Sequence, residues 1–535
     1  MSVAAAAIEE YPHGLRRAII TFTVIMASVI ELIDTSIVNV ALPQMMGNLS
    51  ATLDEVAWVV VAYVVANVIV VPMTGWLSSF FGRTRYFAGS IVLFTVASFF
   101  CGHATNIWEL VFFRFVQGLG GGALLSTSQS ILLETYRPEE RGFANAMFGL
   151  GVVVGPTIGP TLGGWITDNY SWPWIFYVNI PIGILAMLLT IAFIPAPKHQ
   201  RAIGAIDWQG ILLLVLGIGS LQVVLERGER EDWFESNYIT ALAVVAVIGI
   251  ALFIWRELSA EHPVVDLRVF RDPSLALGTV FTFILGFGLY SSIFIFPVFA
   301  QNLLGFTALQ TGLILLPGGL TTAFMMPWIG KLLQKGVPPQ LLNVAGFAFF
   351  FVFSLMLSHS SLQSGPHDFF WPLVFRGMGL AFLFVPLTTL SLSSLRGKDM
   401  AQGAGLTNMM RQLGGSFGIA IVATYIQRRA FTHRTALLEH VNAYDPATLE
   451  RLGGMMRGMT ARGIPMLEAQ KKAYGALEGT IIRQTYLLTY MDAFRLVGTF
   501  FLCCIPLLLL FRRKKPAKLA ELEAEAEVAE FRMEH

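Results

Sequence analysis

The chain is written in long apolar blocks separated by short polar ones. A block of about twenty apolar residues is the length of a helix that crosses a bilayer. Such blocks place about fourteen spans near 15–41, 55–77, 86–103, 108–133, 142–167, 174–195, 208–226, 237–257, 274–300, 311–333, 340–358, 370–395, 403–426 and 488–511. The expected fold class is therefore an all-α membrane protein.

Lys and Arg in the short connections set its orientation. One side carries Arg16, Arg17, Arg83, Arg85, Arg137, Arg141, Lys198, Arg201, Arg268, Arg271, Lys335, Arg396, Lys398 and the run Arg512 to Lys515. The short loops on the other side carry almost only Arg227 and Arg230. Both termini (1–14 and 512–535) are thus expected in the cytoplasm, which requires an even number of spans. The connection 427–487 lies on the outer side although it holds nine basic residues; a loop that long escapes the rule. Within it, Asp445-Pro446 predicts a helix start, and a second helical stretch is expected after Pro465. The segment reads either as a cap on the bundle or as a docking surface.

Composition agrees with the spans. Hydrophobic residues make up 55% of the 535 and charged ones 13%, against roughly a quarter charged in soluble domains. The net charge of +1 implies no nucleic acid or other polyanionic partner. Cys101, Cys503 and Cys504 each sit in an apolar block and form neither a disulfide framework nor a metal-ligand spacing, so no metal is expected. The first apolar block runs into Pro43 without a basic leader or a cleavage site, which argues against a secretory signal.

Short motifs recur. Pro72, Gly75 and Gly82 are echoed by Pro327, Gly330 and Gly336, and Phe113-Arg114 by Phe375-Arg376. The recurrence predicts two six-helix halves, 15–195 and 274–511, with two helices inserted at 208–257. Repeats of this kind build secondary transporters, whose substrate site lies between the halves. No G-x-x-x-x-G-K-[ST] sequence is present. Gly118, Gly120 and Ala123 fit a loose dinucleotide fingerprint, but no strand precedes them. No cofactor or catalytic constellation is expected, so an ion gradient would have to drive transport.

Ionisable residues inside spans are costly and usually functional. Glu31 and Asp34 are three residues apart and should share a helix face, extended by Thr35 and Asn39. Such a pair titrates as a unit and suits proton coupling. Arg114, with Gln117 one turn on, is the expected partner; Thr35, Asn39, Gln117 and the further buried cations Arg376 and Arg411 are placed on the substrate pathway. Each arginine could equally be a fixed structural ion. In the fifth span Gly151, Gly155, Gly159 and Gly163 recur at every fourth position, which opens a groove for a close neighbour. Pro156 and Pro160 add bends. The pathway wall is expected to be rich in Phe, Met and Trp.

At these residues the chain resembles the major facilitator superfamily, and within it the fourteen-span drug:proton antiporters of the EmrB/QacA type. Leu32 to Pro43 is similar to that family's first-helix signature. Gly75-Trp76-Leu77 through Gly82-Arg83-Thr84-Arg85 resembles the loop motif, Arg114 to Gly122 the fourth-helix motif implicated in proton transfer, and Gly151 to Gly164 the antiporter motif. Ile206-Asp207-Trp208, Gly217 to Gln222 and the long outer loop are similar to the EmrB branch. The resemblance implies a bacterial inner-membrane pump for hydrophobic or amphipathic compounds, exchanged for protons. It also implies an EmrA-like periplasmic adaptor and a TolC-like outer-membrane channel. Two positions depart from the pattern: Ser79 stands where the loop motif has an acid, and Glu31 is an unexpected acid. An exporter of one endogenous metabolite such as a fatty acid or siderophore, a proton symporter, and a membrane enzyme or receptor remain as alternative readings.

Overall fold

In a computed structural model, residues 11–195, 206–395, 398–442 and 444–510 are described. Lys198, Arg201, Arg396, the run Arg512 to Lys515 and most of the N-terminal segment lie outside them. The described residues contain helices and turns and no strand.

Six helices form the first half: α1 (Gly14–Asn48), α2 (Leu53–Phe81), α3 (Arg83–His103), α4 (Ile107–Thr135), α5 (Arg141–Asn169) and α6 (Asn179–Phe193). The inserted hairpin is α7 (Trp208–Arg227) and α8 (Asn237–Ser259). The second half comprises α9 (Pro273–Val298), α10 (Ala308–Gln334), α11 (Pro339–Leu357), α12 (Phe370–Leu392), α13 (Lys398–Glu439) and α15 (Met466–Cys504), with the short α14 (Pro446–Thr460) before the last. Polar caps set several starts. Thr52 and Glu55 close a capping box on α2, and Thr307 and Gln310 do so on α10.

Among the described residues, thirteen helices are long and apolar enough to cross a membrane. The span expected at 403–426 lies in α13, which is less apolar yet packs inside the bundle against α2, α4, α9 and α15. Much of the segment 427–487 is helical, and the helical stretch expected after Pro465 is present. α13 continues to Glu439, α15 begins at Met466, and Arg434 to Glu478 (2.6 Å) ties the two extensions together. Asp445 does cap α14, accepting the Thr448 N–H at 2.9 Å, with Pro446 at its first position.

The halves meet where α2 packs on α13 and α5 on α10. These contacts are related by the repeat. A Cβ on Gly75 of α2 would touch Gln402 of α13, and one on Gly330 of α10 would lie 3.0 Å from the Gly142 carbonyl of α5. The Gly75/Gly330 pairing thus survives in space. The Phe113-Arg114/Phe375-Arg376 pairing does not. Gly118 of α4 abuts the Tyr63 carbonyl, and its counterpart Gly377 of α12 abuts the Gly318 carbonyl. Arg114 lies a turn before its glycine, whereas Arg376 lies immediately before its own. Arg376 therefore occupies the place of Gln117, not of Arg114.

The hairpin is fixed by its own chemistry. Asp207 accepts the Gly210 N–H at 3.0 Å to cap α7, and it holds the Arg256 guanidinium of α8. Gly217 and Gly249 let the two helices cross closely, within a π-helical turn at Val215–Gly219. α7 lies against α2 and α13, across the seam between the halves.

Candidate functional site

Asp34 sits midway along α1 and is fully buried. Its carboxylate accepts three hydrogen bonds: from Arg114 Nη1 at 2.6 Å, Gln117 Nε2 at 2.9 Å and Asn179 Nδ2 at 2.7 Å. All three are N–H donors, so the arrangement is that of an ionised carboxylate. Arg114 also donates to the Gln117 side-chain oxygen and to the Val59 carbonyl, and its guanidinium lies 4.1 Å from the Tyr63 ring centroid. Ser98 on α3 completes the cluster by accepting from Gln117 at 2.7 Å. Five helices thus converge on one buried ion pair. Removing one partner of such a pair typically costs about 3–5 kcal/mol, because the other charge is stranded.

The structure separates Glu31 from this cluster. Asp34 points to α4 and α6. Glu31 points to α2, where it accepts from Asn67 Nδ2 at 3.0 Å and from Tyr63 OH at 3.5 Å. Three residues of helix turn the two side chains apart, so the expected shared face divides between two neighbours. Tyr63 bridges them, with its ring under Arg114 and its hydroxyl on Glu31. The second Glu31 oxygen, Oε2, is buried without a hydrogen-bond partner.

Glu31 lies at the seam. Gln412 of α13 donates to Asn67 Oδ1 at 3.0 Å across it. Arg411 is also buried, with its guanidinium 5.5 Å from the Phe384 ring centroid and its Nη1 unpartnered. Arg376 is enclosed within the second half, where its Nε donates to Ser292 Oγ at 2.9 Å and it forms no ion pair among the described residues. Thr35 is half-buried, with its hydroxyl turned back to the Glu31 carbonyl. Asn39 is exposed, two turns on from Glu31.

The glycines of α5 face α1. A Cβ would meet Val29 Cγ2 at 2.9 Å from Gly151, Leu32 Cβ at 2.9 Å from Gly155, Ser36 from Gly159 and Ile37 Cγ1 at 2.8 Å from Gly163. Pro156 and Pro160 lie within this continuous helix. At one end of the bundle Gly82 joins α2 to α3 with φ of 81°, a left-handed conformation that favours glycine. Arg83 forms an ion pair with Glu134 of α4, while Arg85 is exposed. Ser79 turns its hydroxyl onto the Gly75 carbonyl. The bonds between halves gather near this end: Asn145 to Thr389 (3.1 Å), Asn408 to Gln129 (2.9 Å) and Arg141 to the Leu395 carbonyl (3.4 Å).

Sequence reasoning missed Tyr63, Asn67, Ser98 and Asn179. Asn67 and Asn179 each interrupt an apolar run, and that interruption was the available signal.

The Major Facilitator Superfamily profile matches residues 24–419. The fatty acid resistance protein FarB of Neisseria gonorrhoeae is 35% identical over 503 residues, covering 93% of this chain and 97% of FarB. The multidrug export protein EmrB of Escherichia coli K12 is 34% identical over 500 residues, covering 92% and 95%. The human organic anion transporter MFSD10 superposes with a TM-score of 0.56 at 14% identity, over 91% of this chain and 99% of that one, a likeness of fold alone. With its two six-helix halves, inserted hairpin and near full-length similarity to EmrB and FarB, the chain belongs to the major facilitator superfamily of membrane transporters.

Proposed function

We propose that this protein is a proton-coupled antiporter that exports hydrophobic or amphipathic compounds across the bacterial inner membrane, with both termini in the cytoplasm. The observation that carries the reading is Asp34, a fully buried carboxylate held by Arg114, Gln117 and Asn179 at the core of the first half. Protonating Asp34 removes the charge that holds Arg114. Arg114 grips α2 through the Val59 carbonyl and the Tyr63 ring, and α2 carries Asn67, which meets Gln412 of the opposite half. A proton arriving at Asp34 therefore loosens a continuous set of contacts that ends at the seam, so that protonation and rearrangement share one free energy. The glycine face of α5 gives α1 the close, smooth track on which to move.

The bonds gathered at the Gly75 end support a state closed toward the cytoplasm. Substrate then sits between the halves, near Glu31, Arg411, Phe384 and the half-buried Thr35, with Asn39 on the outward route. The helical extensions of α13 and α15, with α14, form the surface on which a periplasmic adaptor of the EmrA kind docks, leading to a TolC-like channel. Exposed Phe431, Tyr444, Leu449, Met466 and Leu467 support that role. FarB's similarity keeps a second reading, a dedicated exporter of fatty acids, beside the multidrug one. Proteoliposomes with an imposed pH gradient test the coupling. Accumulation of an amphipathic dye should collapse on adding a protonophore, and accumulation that persists would refute proton drive.

A further inference from the structure

Where the inserted hairpin meets the second half, a cavity of about 430 Å³ opens between Trp233, Ile421, Thr424, Tyr425, Arg428 and Leu496. That size falls within the range of small-ligand sites, about 300–1,000 Å³. Its outer wall is held in an unusual way. Asp232 and Trp233 both have left-handed backbones, φ 54° and 55°, a conformation that bulky aromatic residues rarely adopt. The Trp233 ring packs over Gly228, where an added Cβ would lie 2.7 Å from it. Its indole N–H donates to Thr424 Oγ1 at 2.9 Å. Strain, a missing side chain and a hydrogen bond together fix one aromatic face against α13.

The floor of the cavity is apolar and its rim is basic. Ile421 is 47% exposed. Two turns later the chain passes from apolar residues to Gln427-Arg428-Arg429, the change expected where a helix leaves the hydrocarbon. The two arginines differ. Arg429 is bound to Asp492 at 2.7 Å, an acid that it shares with His433. Arg428 is exposed, lines the same cavity and makes no ion pair among the described residues. A free guanidinium at a membrane interface, above an apolar slot and beside a fixed indole, matches the chemistry of a phosphate head with attached acyl chains. An inorganic anion would leave the apolar floor unused, and a zwitterionic head would bring its own cation beside Arg428.

We propose that this groove binds an anionic phospholipid, its phosphate on Arg428 and an acyl chain against Ile421 and Leu496, so that lipid mortars the inserted hairpin to the second half. The inference needs only that the chain lies in a bilayer, and it stands whether or not transport is proton-driven.

The test is native mass spectrometry of the full chain in detergent, titrated with phosphatidylglycerol and with phosphatidylcholine of matched acyl chains. The wild type should retain one phosphatidylglycerol at least about fivefold more tightly than phosphatidylcholine, in the manner of basic interfacial sites. Arg428→Gln should lose that preference while melting at the wild-type temperature without added lipid, since the side chain is exposed. Arg428→Lys should keep most of it. An undiminished preference in Arg428→Gln, or no preference in the wild type, overturns the proposal. Inorganic phosphate that raises the melting temperature as much as the lipid does would assign the site to a free anion and overturn it equally.

Discussion

Gly155→Leu tests whether the glycine face of α5 is the track for α1. A Cβ at Gly155 would stand 2.9 Å from Leu32 Cβ. Carbon atoms rest comfortably at about 3.5–4.0 Å, so α1 must retreat by about 0.6–1.1 Å. Rotating a side chain gives no relief, because Cβ is fixed to the backbone on both sides. Alanine at this position would gain about 1 kcal/mol in helix propensity and lose about 1–3 kcal/mol to overpacking. Leucine adds three further carbons to the same contact and falls at or beyond the costly end. The displacement also reaches the buried pair, since Asp34 follows Leu32 by two residues. Passed along α1, it would stretch the 2.6 Å contact to Arg114 past the charge-assisted range of about 2.7–2.9 Å. Dye uptake into everted vesicles, normalised to the protein present, should fall at least about tenfold, the effect of about 1.4 kcal/mol on a step that needs this geometry. Gly89→Ala is the control, because nothing lies within 4 Å of its added Cβ; it should transport normally. Wild-type uptake by Gly155→Leu would show that the groove is incidental.

Two further substitutions and one deletion probe separate parts of the account. Glu31→Gln should reduce transport less than Asp34→Asn, because the amide keeps an acceptor for Asn67 while Asp34 and Arg114 stay paired; equal losses in dye uptake would shift the coupling toward Glu31. Asp207 lies just outside α7: burial pushes its carboxyl up, but the Arg256 guanidinium and the Gly210 N–H outweigh that and hold it below the usual range. Its stabilising charge is present above the ordinary carboxylate pKa, near 3.9, and is lost as pH falls through the lowered value. Asp207→Asn keeps the cap and loses the charge, so a deficit of about 0.2–1 kcal/mol at neutral pH should vanish in melting curves taken in strong acid, and a deficit that persists there would contradict the assignment. Removing α14 with its connections should leave dye uptake in vesicles intact and abolish resistance in whole cells; copurification of the adaptor with the shortened protein would refute docking there.

Much of the fold was legible because a bilayer imposes one length on every crossing. Thirteen of the fourteen expected spans coincide with helices long and apolar enough to cross a membrane among the described residues. α13 runs past the span expected at 403–426, because polar residues end an apolar block without ending a helix, whereas the helical stretch expected after Pro465 is the start of α15. The repeat was legible at Gly75 and Gly330, where close approach of two helices demands glycine. It misled at Arg376, because a two-residue likeness ignores the helix contact that fixes register. At the site, Asp34 and Arg114 stood out as charges in apolar sequence. Their separation from Glu31 did not, because residues three apart on a helix differ by a sixth of a turn, and only the neighbouring helices decide whether that angle matters. Tyr63 stayed hidden for another reason. An aromatic residue in an apolar span looks like core, and its hydroxyl gains meaning only beside Glu31 and Arg114.

The central claim is that Asp34 carries the proton, and substrate-induced proton release from detergent-purified protein tests it most directly. The wild type, in weak buffer with a pH dye, should release protons when a transported compound is added. Asp34→Asn keeps the shape and some of the hydrogen bonds but cannot titrate; it should still bind the compound, seen by tryptophan fluorescence, and release none. Proton release from Asp34→Asn equal to that of the wild type, with binding intact, would contradict the account and move the proton to Glu31.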